Sequence, residues 1–205
     1  LPVPRWTPVV RFNTELTRAN GRAFGADLSL QYKEDPFRLD LSYGYGRVRY
    51  SAAKEALGAW VDEPILEYNP PHDLRHKVSL MAQWAPEWFT ASARWQYGSG
   101  LPFTQPIGFD SLIRWPGLSE HPASDAGTGR VLFQKPYRGR LPAYHRLDLS
   151  VEYVIPLSLG QLTLRAGGIN AYNRQNLFYY DVFTLQRVDQ LPLMPFVSIE
   201  LETSR

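Results

Sequence analysis

The sequence predicts an all-β fold: an antiparallel β-barrel of the kind that spans a bilayer. Three observations carry this. Apolar and polar residues alternate with period two in eight segments, the pattern of strands with one wet and one greasy face. The connections alternate between tight turns and long loops, an asymmetry typical of outer-membrane barrels. Aromatics gather near strand ends, where interfacial girdles form.

The predicted strands are 7–17, 22–32, 37–50, 74–84, 88–98, 144–155, 161–171 and 194–202. In the second, Phe24, Ala26, Leu28, Leu30 and Tyr32 share one face, and Gly25, Asp27, Ser29 and Gln31 the other. In the third, Phe37, Leu39, Leu41, Tyr43 and Tyr45 oppose Arg38, Asp40, Ser42 and Gly44. In the fourth, Val78, Leu80, Ala82 and Trp84 oppose Lys77, Ser79, Met81 and Gln83. In the sixth, Leu147, Leu149, Val151 and Tyr153 oppose Arg146, Asp148, Ser150 and Glu152. The last sets Val197, Ile199 and Leu201 against Ser198, Glu200 and Glu202.

The connections add direction. "KEDP", "APE" and "PLSLG" are tight, whereas 51–73, 99–143 and 172–193 are long. The first hairpin, "RANG" at 18–21, is a short exception. A soluble domain rarely needs a loop as long as 99–143 without clear secondary structure. The last strand runs toward the tight-turn side, which predicts a periplasmic C-terminus. Strands near 11 residues fit a tilted span. Tyr32, Phe37, Trp84, Trp88 and Tyr153 mark the tight-turn end, and Tyr45, Tyr50, Trp95 and Tyr97 the other.

Composition narrows the classes. The 205 residues carry a net charge of +2, so neither nucleic acid nor an acidic partner is implied. Mean hydropathy is −0.32, a value open to barrels because half of each spanning strand is polar. No run of about 18 apolar residues occurs, so no transmembrane helix is expected. The absence of cysteine excludes a disulfide scaffold and Cys-ligated metal. The start, "LPVPRWTPVV", has no initiator Met, basic n-region or apolar h-region, and predicts a processed product or part of a longer protein.

Catalytic constellations are not found. His72 and His76 are four apart at the head of a strand, where that spacing makes no shared pocket. "GYGRVR" at 44–49 lacks phosphate-loop spacing, and Ser99 lacks the G-x-S-x-G frame. Wet-face carboxylates alternate with arginines, which cross-strand ion pairing explains. The expectation is a non-enzyme with no metal and no cofactor.

Several stretches resemble the C-terminal part of TonB-dependent outer-membrane receptors, especially the Bacteroidota-like branch. "YNPPHDLRHKVSLMAQWAPEWFTASARWQYGSGLPFTQP" (68–106) resembles a late hairpin of that family. "RLPAYHRLDLSVEYVI" (140–155) is similar to its "LP-x-Y-x-RLDLS" strand. "LTLRAGGINAYNRQN" (162–176) resembles the penultimate strand with its Asn-x-x-Asn-Arg-x-Asn turn. "LPLMPFVSIELE" (191–202) is similar to the closing strand, and "NGRAFGADLSLQY" (20–32) to the Gly-rich strands. The final "ETSR" departs from the usual aromatic terminus of such barrels.

The resemblance implies a barrel of about 22 strands with a plugged lumen, of which 1–205 would be some eight C-terminal strands without the plug. It implies active import of a scarce nutrient across the bacterial outer membrane. The implied partners are outer-membrane lipid, the plug domain, the remaining barrel strands, the TonB complex through an N-terminal part, and a surface lipoprotein lid. Lumen- or plug-facing residues would be Arg38, Asp40, Lys77, Arg94, Arg146, Asp148, Glu152 and Arg165. Outer-loop aromatics Trp115, Phe133, Tyr137, Phe178, Tyr179 and Tyr180 would meet substrate by stacking, or pack only against their own loops. Two alternatives stay open. One is a self-contained eight-stranded outer-membrane barrel with a structural or adhesive role. The other is a soluble β-barrel that binds an apolar ligand internally.

Overall fold

The computed structural model describes residues 19–53, 64–110, 130–181 and 186–203. All regular structure among them is β. Seven long strands form one antiparallel sheet in the order β1 (Ala19–Glu34), β2 (Phe37–Ala53), β4 (His76–Trp84), β5 (Phe89–Gly98), β10 (Tyr144–Leu157), β11 (Gly160–Ile169) and β14 (Met194–Thr203). β3 (Ile65–Tyr68) adds to the far end of β2. Each long strand matches one predicted segment. The remaining prediction, 7–17, lies outside the described residues. β1 and β14 are the two edges of the sheet, and no pairing joins them among the described residues.

The register turns the alternation into two continuous surfaces. Phe37, Trp84, Ala91, Val151, Ala166 and Val197 fall in one row, and Leu39, Ala82, Ala93, Leu149 and Gly168 in the next. Between these rows, on the other face, run Arg38, Gln83, Ser92, Ser150, Gly167 and Phe196. A slip by one residue would exchange the faces of a whole strand, so the aligned rows show the register to be consistent across the sheet.

No conventional core lies beneath the apolar face. Among the described residues only Ala52 and Leu66 are buried hydrophobics, whereas Val197, Ile199 and Phe24 are 77%, 70% and 60% exposed. Nothing among the described residues covers this surface. Its aromatics form belts. At the tight-turn end Phe37 stacks on Trp84, Trp84 meets Phe89 edge-on, and Trp88 bridges Phe89 and Tyr153. At the other end Tyr43 and Tyr45 flank His76, and Trp95 stacks on Tyr97. Tyr50 belongs elsewhere: it shares the alternation phase of Arg38 and Asp40, on the wet side.

The tight turns are close-built. Asp35–Pro36, a cis peptide, joins β1 to β2, and Ala85 N donates to Pro36 O at 2.8 Å, tying two neighbouring turns together. Gly160 opens β11 at φ 152°, and a Cβ there would lie 1.9 Å from Glu202 O. Only glycine allows β14 to approach that turn.

Two expectations about connections change. "RANG" is not a turn over its described residues, because Ala19, Asn20 and Gly21 pair with Ala52, Ser51 and Tyr50. The long loops are not structureless. Loop 99–143 contains the ribbons β6 (Pro102–Phe103) with β9 (Gly139–Arg140) and β7 (Pro106–Asp110) with β8 (Arg130–Phe133). Loop 172–193 contains β12 (Leu177–Asp181) with β13 (Gln186–Asp189). Backbone pairing satisfies polar groups that a long loop would otherwise leave to water.

Candidate functional site

The wet face and the long-loop end together hold the chemistry. On the wet face, ionised side chains pair along and across strands. Arg38 donates to Asp40 at 2.9 Å, Arg146 to Asp148 at 2.8 Å, and Arg165 to Glu152 from the directly opposed position. Such half-exposed pairs contribute at most about 1 kcal/mol each. Met81, Arg94, Asp148, Glu152, Arg165 and Phe196 line a hollow of about 490 Å³ on this face. A larger hollow, about 820 Å³, lies on the apolar face over Ala82, Ala91, Ala93 and Ala166. It is nearly devoid of polar groups, so the smaller wet hollow is the better candidate for chemistry.

Two cations stand apart. Asp148 is opposite Arg94 in the register, yet its Oδ2 is held by Arg146 and its Oδ1 accepts from Asn170 N at 3.0 Å. Arg94 and Lys77 have no ion-pair partner among the described residues. Of the eight wet-face residues singled out from sequence, six pair with one another and two have no ion-pair partner among the described residues.

At the long-loop end, two polar brackets organise the mouth. The first is ionic. Asp73 is fully buried; its Oδ1 accepts from Val48 N at 2.7 Å, and its Oδ2 meets Arg140 and, at 3.4 Å, Arg75. Arg140 also donates to Gly100 O at 2.7 Å and to Asp73 O at 3.3 Å. One carboxylate therefore joins β2, the β3–β4 connection and loop 99–143. The second bracket is neutral. Asn170, at φ 57°, accepts from Arg174 N and donates to Arg174 O and Leu191 O, at 2.9, 2.9 and 3.2 Å. Asn176 accepts from His145 N and donates to His145 O, at 3.1 and 2.9 Å, taking the place of a strand partner. Asn173 Oδ1 accepts from Leu193 N at 2.9 Å.

Above the ionic bracket sits an aromatic cluster. Tyr68 stacks on Tyr137 at 5.3 Å, Tyr50 meets Tyr68 edge-on at 5.9 Å, and His72 meets Tyr50 at 5.7 Å. Tyr137 holds φ 55° and donates its N–H to Thr104 Oγ1 at 3.0 Å. Burial raises the Tyr68 phenol above its ordinary value, and the Tyr137 and Tyr50 phenols add to the rise. From sequence, Tyr137 is singled out as a loop aromatic, Tyr50 is placed in a girdle, His72 is weighed only against His76, and Tyr68 is given no role, although Tyr68 and His72 stand in the quoted "YNPPHD" run. His72 and His76 make no pair, since His72 Nε2 approaches Tyr50 OH at 3.5 Å and His76 Nδ1 lies 2.9 Å from Tyr43 OH.

The other loop aromatics are dispersed. Phe133 ends β8 half exposed. Phe178, Tyr179 and Tyr180 lie on β12, where Phe178 meets Tyr179 edge-on at 5.5 Å. Trp115 lies outside the described residues. Sequence reasoning also missed Asp73, Arg140 and Asn170, although "HDLRH" and the spaced asparagines stood in the quoted motifs.

Comparison with known proteins gives one family. Residues 4–171 match a family model described as TonB dependent receptor-like, beta-barrel. No curated protein and no solved structure gives a match.

Proposed function

The chain belongs to the TonB-dependent receptor β-barrel family, whose members are outer-membrane transporters, and from that premise we propose that residues 1–205 form C-terminal wall of a barrel that imports a scarce nutrient. The observation that carries this reading is the two-faced sheet. Its apolar side has aromatic belts at both ends and no cover from the described residues; its other side is charged and paired. Lipid suits the first surface and a hydrated lumen the second.

The family works with a plug domain and with TonB. In this reading Arg94 and Lys77, without ion-pair partners among the described residues, dock carboxylates or carbonyls of the plug, while the paired charges hydrate the lumen. The tight turns and the C-terminus face the periplasm. The bracketed loops gather substrate outside, with Tyr50, Tyr68 and Tyr137 as a stacking surface for sugars or ring ligands. In the same reading a surface lipoprotein lid covers these loops.

The test compares neighbouring positions in the full-length receptor. Leu149→Arg places a charge near mid-span on the apolar face and costs about 2–4 kcal/mol. Folded receptor in the outer-membrane fraction should fall severalfold. Ser150→Asn, one residue along on the wet face, should leave the amount unchanged. Equal behaviour of the two variants would refute the assignment of faces.

A further inference from the structure

The apolar face breaks its own pattern at both ends of one hairpin: Glu34 ends it at the tight turn, where Tyr32 donates to it, and a larger break lies toward the long loops. On β4, β5, β10, β11 and β14 the residues of this face include no Asp, Glu, Lys or Arg. On the β1–β2 hairpin they run apolar from Tyr32 to Phe24 and from Phe37 to Tyr45, and then become Arg22, Arg47 and Arg49. The register sets Arg22 directly opposite Arg49, and Arg47 opposite Phe24. The three therefore form a compact group on one hairpin. Arg49 meets Glu67 at 3.3 Å. Arg22 and Arg47 have no carboxylate partner among the described residues. Among the described residues, three guanidiniums against one carboxylate leave a surplus of two positive charges.

Their height is fixed by the strand. Tyr45 lies eight residues beyond Phe37, about 26 Å along β2 at roughly 3.3 Å per residue. At a tilt near 40° that is about 20 Å of height, and Arg47 stands about 5 Å higher. The apolar band of such barrels is about 25 Å tall. Independently, the aromatic group of Tyr43, Tyr45 and His76 marks the upper interface just below the arginines. The guanidiniums thus stand at headgroup level, pointing toward lipid rather than lumen. A planar fork of donors at this level matches a phosphate bidentately.

We propose that Arg22, Arg47 and Arg49 bind the phosphate of an anionic outer-leaflet lipid, anchoring that lipid to the β1–β2 hairpin. The site rests on the reading of this sheet as a membrane wall. Glu67 tempers the outermost arginine, so the lipid phosphate is expected to lie between Arg22 and Arg47.

The experiment uses the full-length receptor recovered from the outer-membrane fraction. Binding of a diphosphorylated glycolipid is compared with binding of the same lipid after enzymatic dephosphorylation, by native mass spectrometry. Wild type should favour the phosphorylated lipid by about tenfold or more, equivalent to about 1.4 kcal/mol. Arg22→Gln/Arg47→Gln should lose that preference, and Arg38→Gln, on the wet face near the other end, should keep it. Equal binding of both lipids by wild type, or an unchanged preference in the double variant, would overturn the site. Inorganic phosphate that competes fully at equal concentration would reassign it to a free anion. Loss of an acidic surface protein from the double variant, with lipid preference intact, would reassign it to a protein partner. Absence of wild-type receptor from the outer-membrane fraction would overturn the wall reading itself.

Discussion

The two brackets at the mouth do the same mechanical task with different chemistry. Asp73 holds its neighbours by charge, with no solvent exposure and two arginines drawn onto one carboxylate. Asn170 and Asn176 hold theirs by neutral amides that copy backbone hydrogen bonding. The difference teaches where each device suits. An ionic bracket can recruit side chains from distant segments, as Arg140 reaches Asp73 across 67 positions of sequence. The amide bracket works at shorter range by replacing backbone partners: Asn170 bonds Arg174 four residues on and Leu191 21 away, and Asn176 bonds His145 31 away.

Removing one partner separates the two kinds most strongly. Asp73→Ala would leave Arg75 and Arg140 without their shared carboxylate and Val48 N without its acceptor. The expected loss is about 3 kcal/mol, because the Val48 N–H and two part-buried guanidiniums lose their partner at once. It would be read as a lower unfolding temperature of the full-length receptor in detergent. Asp73→Asn keeps an acceptor for Val48 N but removes the charge, and should fall between wild type and Asp73→Ala. If Asp73→Asn equalled wild type, the bracket would act by hydrogen bonding alone, and the contrast with Asn170 would vanish.

The neutral bracket should fail more gently. Asn170→Ala loses three side-chain hydrogen bonds and forces alanine into a left-handed backbone, for about 2 kcal/mol. Asn170→Gly relieves the backbone and should recover about 1 kcal/mol of that. Equal unfolding temperatures for the two variants would show that the hydrogen bonds alone matter. The smallest effect belongs to the wet face. Arg165→Gln breaks the pair with Glu152, but both groups are partly solvated, so stability should change by less than about 1 kcal/mol.

The strands were legible because their information is local. The alternation of Leu147, Leu149 and Val151 with Arg146, Asp148 and Ser150 needs only neighbouring residues, and the register preserves it. Tyr50 was misplaced because its aromatic type suggested a girdle, whereas counting the phase from Arg38 puts it on the wet side. The loop ribbons were hidden for another reason. Pro102 pairs with Arg140 and Phe103 with Gly139, and two-residue strands that far apart leave no periodic trace. Asp73 was likewise invisible as a bracket, because nothing near it in sequence names Arg140 as its partner.

The long β1–β2 hairpin has one more consequence. Beyond Arg47 the pairing of β2 continues to Ala53, six residues or about 15 Å further along the tilted strand in height. In the proposed orientation the wall rises above the membrane as a stiff parapet, with β3 buttressing its crest. An antibody raised against folded receptor and directed at this crest would recognise shape rather than sequence. Its binding should be lost on boiling, while binding of an antibody to a linear peptide from the same stretch should be gained.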